Sequence, residues 1–142
     1  MQISDVLKKK GTGVVTVTPD SSVRDLLAQL AEHRIGAIVV SLDGEHVDGI
    51  VSERDVVRRL HSDGAGVLSQ PVSAIMTAQV ITSAPDEDLE GLARTMTDNR
   101  IRHVPIVSGD KLYAIVSIGD IVKHRIDALQ DERDQLMAYI QQ

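Results

Sequence analysis

Ile50-Val51-Ser52-Glu53-Arg54-Asp55-Val56-Val57-Arg58 is written again 65 residues later as Ile115-Val116-Ser117-Ile118-Gly119-Asp120-Ile121-Val122-Lys123. Upstream, Val15-Thr16-Val17-Thr18-Pro19-Asp20 returns as Val80-Ile81-Thr82-Ser83-Ala84-Pro85-Asp86, with the prolines 66 positions apart. A period of this length exceeds that of most solenoid repeats, and two copies are too few for an array. The pattern predicts two similar halves packed on each other about a pseudo-twofold cleft. Differences between the copies then say which side of the cleft is equipped for chemistry.

Each copy reads in the same order. A short strand (residues 14–18; 80–83) precedes the proline. A helix follows, capped at Asp20, Ser21 or Ser22 in the first copy and at Asp86 in the second. Its apolar residues, Val23, Leu26, Leu27 and Leu30, then Leu89, Leu92, Ala93 and Met96, fall at helical spacing. Apolar, β-branched runs at 35–40 and 101–107 predict a second strand. Turns at Asp43-Gly44 and Gly109-Asp110 lead to a third strand at 47–51 or 111–116. A second helix starts near Ser52 or Ser117. Each half is therefore β-α-β-β-α and the fold class is α+β, with helices on one face of a small sheet. About 60 residues bury little alone, so the halves are expected to pack together.

The predicted units are residues 1–68 and 69–127, with residues 128–142 as a helical extension. The Gly-containing stretch 61–72 connects the halves. Ser4-Asp5-Val6-Leu7 resembles Ser73-Ala74-Ile75-Met76, so each half is expected to begin with a short leading helix. From Gly119 onward there is no Pro and no later Gly. Val122, Ile126, Leu129, Leu136 and Ile140 then form a nearly seven-residue stripe interrupted by Arg133. Such a helix either folds back on its own domain or pairs with a second subunit.

Composition narrows the function. The 142 residues carry 42% hydrophobic and 25% charged residues, ordinary for a globular chain. The net charge of −6 argues against a nucleic-acid surface, which needs Lys and Arg to neutralise phosphate. Tyr113 and Tyr139 are the only aromatics, so no base-stacking platform exists. No apolar run approaches the roughly 20 residues of a membrane span, so no membrane association is expected. The opening Met1-Gln2-Ile3-Ser4-Asp5 lacks the layout of a secretory signal, and there are no cysteines. The expected home is a reducing cytoplasm. No nucleophile elbow, Walker-type loop or dinucleotide glycine pattern is present, and the five histidines have no ligand spacing. A non-catalytic protein is expected, with no metal site.

Ser52-x-x-Asp55 and Ser117-x-x-Asp120 resemble capping boxes. A helix N-terminus also offers free N–H groups and a positive dipole end to a phosphate, and a carboxylate there can accept both hydroxyls of a ribose. Arg102 and His103 correspond to Gly36 and Ala37 of the first copy. Adjacent basic groups beside an apolar strand are costly unless they face an anion, and Arg offers forked donors for one. Arg54 and Arg58 either pair with nearby acids or contact a second phosphate.

With these residues in hand, the chain resembles a tandem pair of cystathionine-β-synthase (CBS) domains, the Bateman module, of the small stand-alone bacterial type. The segments carrying the likeness are Gly49 to Asp55, Ala114 to Asp120, and Arg102-His103-Val104-Pro105-Ile106-Val107. The resemblance implies a regulatory sensor of energy or redox state that binds an adenine nucleotide (AMP, ATP or NADH) in the inter-domain cleft. It implies a homodimer acting on an unidentified partner protein. It places Asp120 and Asp55 on ribose, Ser117 and Ser52 near sugar or phosphate, and Arg102 and His103 on phosphate. Thr82 and Thr16 would line the adenine pocket, with Ile101, Val104 and Pro105 as apolar walls. The second-copy site, at Asp120, is the preferred one. Ala114 in place of the glycine at 49 is expected to restrict access there slightly. The alternative is a structural dimerisation module without a physiological ligand.

Overall fold

A computed structural model describes residues 1–141. Five α-helices and five strands follow the repeat: α1 (Ile3–Lys10), β1 (Thr16–Val17), α2 (Val23–His33), β2 (Ala37–Val40), β3 (Gly49–Ser52), α3 (Glu53–Asp63), α4 (Leu89–Asn99), β4 (His103–Ser108), β5 (Lys111–Ser117) and α5 (Ile118–Ile140). Two short 3-10 turns, Ala65–Ser69 and Val72–Ala74, fill the connection between halves. The class is α+β, as the periodicity predicts.

In the first half β1 runs parallel to β2, and β2 pairs antiparallel with β3, Ala37 lying opposite Ser52. In the second, β4 pairs antiparallel with β5, His103 lying opposite Ser117. The strand predicted at 80–83 shrinks to one parallel bridge, Ser83 to Ile106.

Local chemistry sets the helix ends. Ser22 caps α2 by accepting the Asp25 N–H, and α2 buries Val23, Leu26 and Leu30. In the second copy the cap is Asp88, which accepts the Gly91 N–H at 3.0 Å, two residues beyond the predicted Asp86. The displacement has a cause. The Pro85 and Glu87 carbonyls accept the N–H groups of Ser4 and Ile3 at 2.8 and 2.9 Å, which holds this segment as a turn. Both α2 and α4 end on an arginine in the left-handed region, Arg34 and Arg100, each at φ 54°.

The leading segments exchange partners. The Ser21 and Pro19 carbonyls accept N–H groups from Val72 and Ser73, the counterpart of the contacts made by α1. Accordingly Ile3, Val6 and Leu7 of α1 are buried with Leu92, Met96, Val104 and Ile106 of the second half. Val67, Val72 and Ile75 are buried with Leu26, Ile38 and Val51 of the first. Two cores therefore form, each completed by the segment that leads the other half in sequence. This cross-stitching gives two small units enough apolar surface to bury.

Gly49 serves this stitching. Ile50 and Thr77 form a reciprocal backbone pair at 3.0 and 2.9 Å. A Cβ at 49 would stand 2.5 Å from Met76 Sδ and 3.0 Å from the Thr77 carbonyl oxygen. The glycine thus permits a close chain approach, and its second-copy counterpart Ala114 is buried.

The helix α5 is continuous for 23 residues, about 34 Å of helix. Ile121 is the one buried residue of α5. Val122, Ile126, Leu129, Leu136 and Ile140 are all exposed, so the stripe does not fold back on its own half.

Candidate functional site

Both capping boxes form. Ser52 Oγ accepts the Asp55 N–H at 3.3 Å while Asp55 Oδ2 accepts the Ser52 N–H at 2.8 Å. Ser117 and Asp120 repeat this at 3.1 and 2.9 Å. Each helix start is also tied to the head of a neighbouring strand. Glu53 N–H donates to the Gly36 carbonyl at 2.9 Å, and Ile118 N–H to the Arg102 carbonyl at 2.8 Å. The two helix N-termini are thereby fixed beside the positions where the copies differ most.

Seven of the predicted residues meet in one cavity of about 1020 Å³: Ser52, Arg54, Asp55, Arg58, Ile101, Arg102 and His103. That is at the upper end of the range for small-molecule sites, about 300–1,000 Å³. Its remaining wall comes from Gly36, Ala37, Ile50, Glu53, Val57, the 77–81 segment, Asn99 and Arg100. Four arginines face two carboxylates, Glu53 and Asp55, in a chain whose net charge is −6. Among the described residues none of these six groups has an ion-pair partner within 4 Å. Arg59, by contrast, pairs with Asp63 and donates to the Ala74 carbonyl, so it belongs to the scaffold. Ile50, Val80, Ile81 and Ile101 give the cavity an aliphatic lining.

Burial pushes the His103 imidazole below its ordinary 6.5. The Lys10 and Arg102 cations act in the same direction, against the carboxylates of Asp120 and Glu53. Its ring lies against the empty side of Gly36, where a Cβ would be 3.5 Å from Cε1.

The other predicted residues fall elsewhere. Val104 and Pro105 are buried in the strand β4, and Thr16 sits in β1 paired with Val39. Thr82 lines a separate, shallow hollow of about 400 Å³ with His46, Val47, Val107, Gly109 and Asp110. Ser117 and Asp120 are outside the large cavity, and the Asp120 carboxylate is held by the Lys10 ammonium. Burial would raise the Asp120 carboxyl. The hydrogen bonds from Lys10 and from the Ser117 N–H outweigh burial and hold it below the ordinary range.

Sequence reasoning missed Glu53, Asn99, Arg100 and the 77–81 segment as cavity residues. The signal for Arg100 was present: Arg34-Ile35 and Arg100-Ile101 recur 66 residues apart, marking the point where the helix turns into the strand. Both arginines end their helix in the same left-handed turn, but only Arg100 lines the cavity.

The CBS domain family profile matches residues 3–62 and 72–127. The mitochondrial CBS domain-containing protein CBSX3 of Arabidopsis thaliana is 37% identical over 147 aligned residues, covering 98% of this chain and 71% of that protein. The crystal structure of the CBS-domain-containing protein ATU1752 from Agrobacterium tumefaciens superposes with a TM-score of 0.85 at 42% identity, covering 88% of this chain and 99% of that one. The CBS domain pair of the protein MJ0100, solved in complex with 5′-methylthioadenosine and S-adenosyl-L-methionine, shares the fold. Its TM-score is 0.79 at 23% identity, over 90% of this chain and 98% of that one. Two family matches in tandem, on a fold with two stitched halves, make this chain a member of the CBS domain family carrying a pair of CBS domains.

Proposed function

We propose that the chain is a non-catalytic regulatory module that binds an adenine nucleotide (AMP, ATP or NAD(H)) in the cavity at Asp55. The observation that carries this reading is the set of four unpaired arginines gathered around a capped helix N-terminus. Unpaired cations facing one cavity suit an anionic ligand, and Arg binds phosphate through forked donors. Asp55 would accept the ribose hydroxyls, and the α3 N-terminus with Arg54, Arg58, Arg100 and Arg102 would meet phosphate. The base would lie between Ile50, Val80, Ile81 and Ile101. The adenosine-bearing ligands of the MJ0100 pair support this class of ligand on this fold.

A dimer of two such chains is the second part of the proposal. It is supported by the exposed stripe of α5 together with Leu60 on α3. A ligand acts on such an assembly only through different affinities for its states, so occupancy of the cavity would bias how the chains pack.

Mass spectrometry of the small molecules retained by freshly purified protein tests the ligand, with AMP, ATP or NAD(H) expected. Equilibrium dialysis with all three supplies the negative: no binding of any would overturn the reading. Light scattering on a chain ending at Ile126 tests the dimer, with the monomer mass expected and an unchanged dimer removing α5 from the interface.

A further inference from the structure

The two Ser-x-x-Asp helix starts are alike in sequence and capping, yet they differ in one contact that crosses the chain. Lys10, the last residue of α1, donates its ammonium to Asp120 Oδ2 and to the Ile115 carbonyl, the latter at 2.6 Å. Both side chains are largely covered, Lys10 being 31% and Asp120 23% exposed. The lysine is held there by the fold. Ile3, Val6 and Leu7 seat α1 in the second core, and Gly11, at φ 92°, turns the chain away directly after Lys10. Lys9 adds a weaker pairing with Asp127 of α5 at 4.0 Å.

Aligning the leading segments, Ser4 with Ser73 and Leu7 with Met76, puts Gln79 at the position of Lys10. Gln79 lines the open cavity with Asp55, and no lysine lines that cavity. The Asp55 carboxylate is bonded only to Ser52 among the described residues. One carboxylate therefore faces a cavity, while its twin is satisfied by a tethered cation. A tethered partner competes at high effective concentration with any free ligand.

We propose that Lys10 is an internal occupant that closes the second cleft, so that each chain takes one nucleotide, at Asp55, and none at Asp120. The ammonium fills the donor role that ribose hydroxyls would play on Asp120. This rests on the reading that a Ser-x-x-Asp helix start receives ribose. It makes α1 a latch, since any event that draws Lys10 away unmasks a second site for the same class of ligand.

Titration calorimetry with ATP on the full chain tests this by stoichiometry. The wild type is expected to bind one equivalent and Asp55→Ala none. Lys10→Met is expected to bind two, and Lys10→Met/Asp55→Ala one, lost again on adding Asp120→Ala. Lys10→Gln, which keeps a polar end on α1, is carried in parallel, with circular dichroism reporting the fold of each. One equivalent in Lys10→Met and none in the double variant would overturn the latch and leave the Asp55 site standing. Weaker binding in Lys10→Met than in wild type would make Lys10 a ligand contact, which also overturns it. Two equivalents in the wild type would do the same. No binding by wild type but one equivalent in the double variant would keep the latch and remove the Asp55 site. No binding in any chain ends both.

Discussion

Gly36 leaves its side-chain space to His103: a Cβ at 36 would stand 3.5 Å from Cε1 and 3.8 Å from Nε2 of that ring. The first copy thus has no side chain where the second has Arg102, and both positions line the cavity. Gly36→Leu is expected to fill the cavity beside His103 and Glu53. ATP affinity should fall at least tenfold while stability changes by no more than about 1 kcal/mol, since the backbone there is ordinary. Calorimetry and thermal denaturation check the two halves of this statement.

Gly49→Ala is expected to do the reverse. The added methyl meets Met76 Sδ and the Thr77 carbonyl, and Thr77 is locked in a reciprocal backbone pair with Ile50. The side chain of Met76 can move but the carbonyl cannot, so overpacking of about 1–3 kcal/mol is expected. Chemical denaturation should show an earlier midpoint with an unchanged slope.

Arg34 and Arg100 make an internally controlled pair. Both hold φ 54°, where a side chain costs roughly 1–2 kcal/mol that glycine avoids. Either substitution to Gly should therefore stabilise the fold by about 1 kcal/mol. Arg100 lines the cavity and Arg34 does not, so Arg100→Gly should weaken ATP binding while Arg34→Gly leaves it intact. Equal affinities in the two variants would remove Arg100 from the site.

Two histidines should titrate on opposite sides of the ordinary imidazole value. His103 is lowered chiefly by burial, whereas His46 is raised by its hydrogen bond to Asp43. The sign for stability follows from linkage. A histidine that protonates less readily when folded is no burden above 6.5 and lowers stability as pH falls from there through its folded value. His103→Gln should flatten that part of the stability profile. Proton NMR of the imidazole signals reads both directions, and His103 titrating at or above 6.5 in the free protein would contradict the burial account.

Most of the architecture could be read from the repeat because strand and helix patterning recurs with the same turn chemistry. The capping boxes at Ser52 and Ser117 were legible for the same reason, since N-cap preference is local. The cap at Asp88 was not, because the turn before it is held by backbone groups of α1 more than 80 residues away in sequence. The site was half legible. Arg102, His103 and Arg54 stand out by contrast with the other copy, whereas Arg58 has the cation Lys123 as its counterpart, and the cavity gathers all four. Comparing Arg102-His103 with Gly36-Ala37 points to Asp120, whereas both residues, at the start of β4, also line the cavity that holds Asp55. The role of Lys10 was invisible in sequence, as it depends on the exchange of leading segments between the cores.

The central claim is that nucleotide enters at Asp55. Amide chemical-shift mapping of the isotope-labelled wild-type chain during titration with ATP tests it most directly. The account predicts perturbed signals at Ser52 to Arg58 and at Asn99 to His103, with Ser117 and Asp120 little affected. Shifts centred on Ser117 to Asp120, with the α3 N-terminus silent, would contradict it.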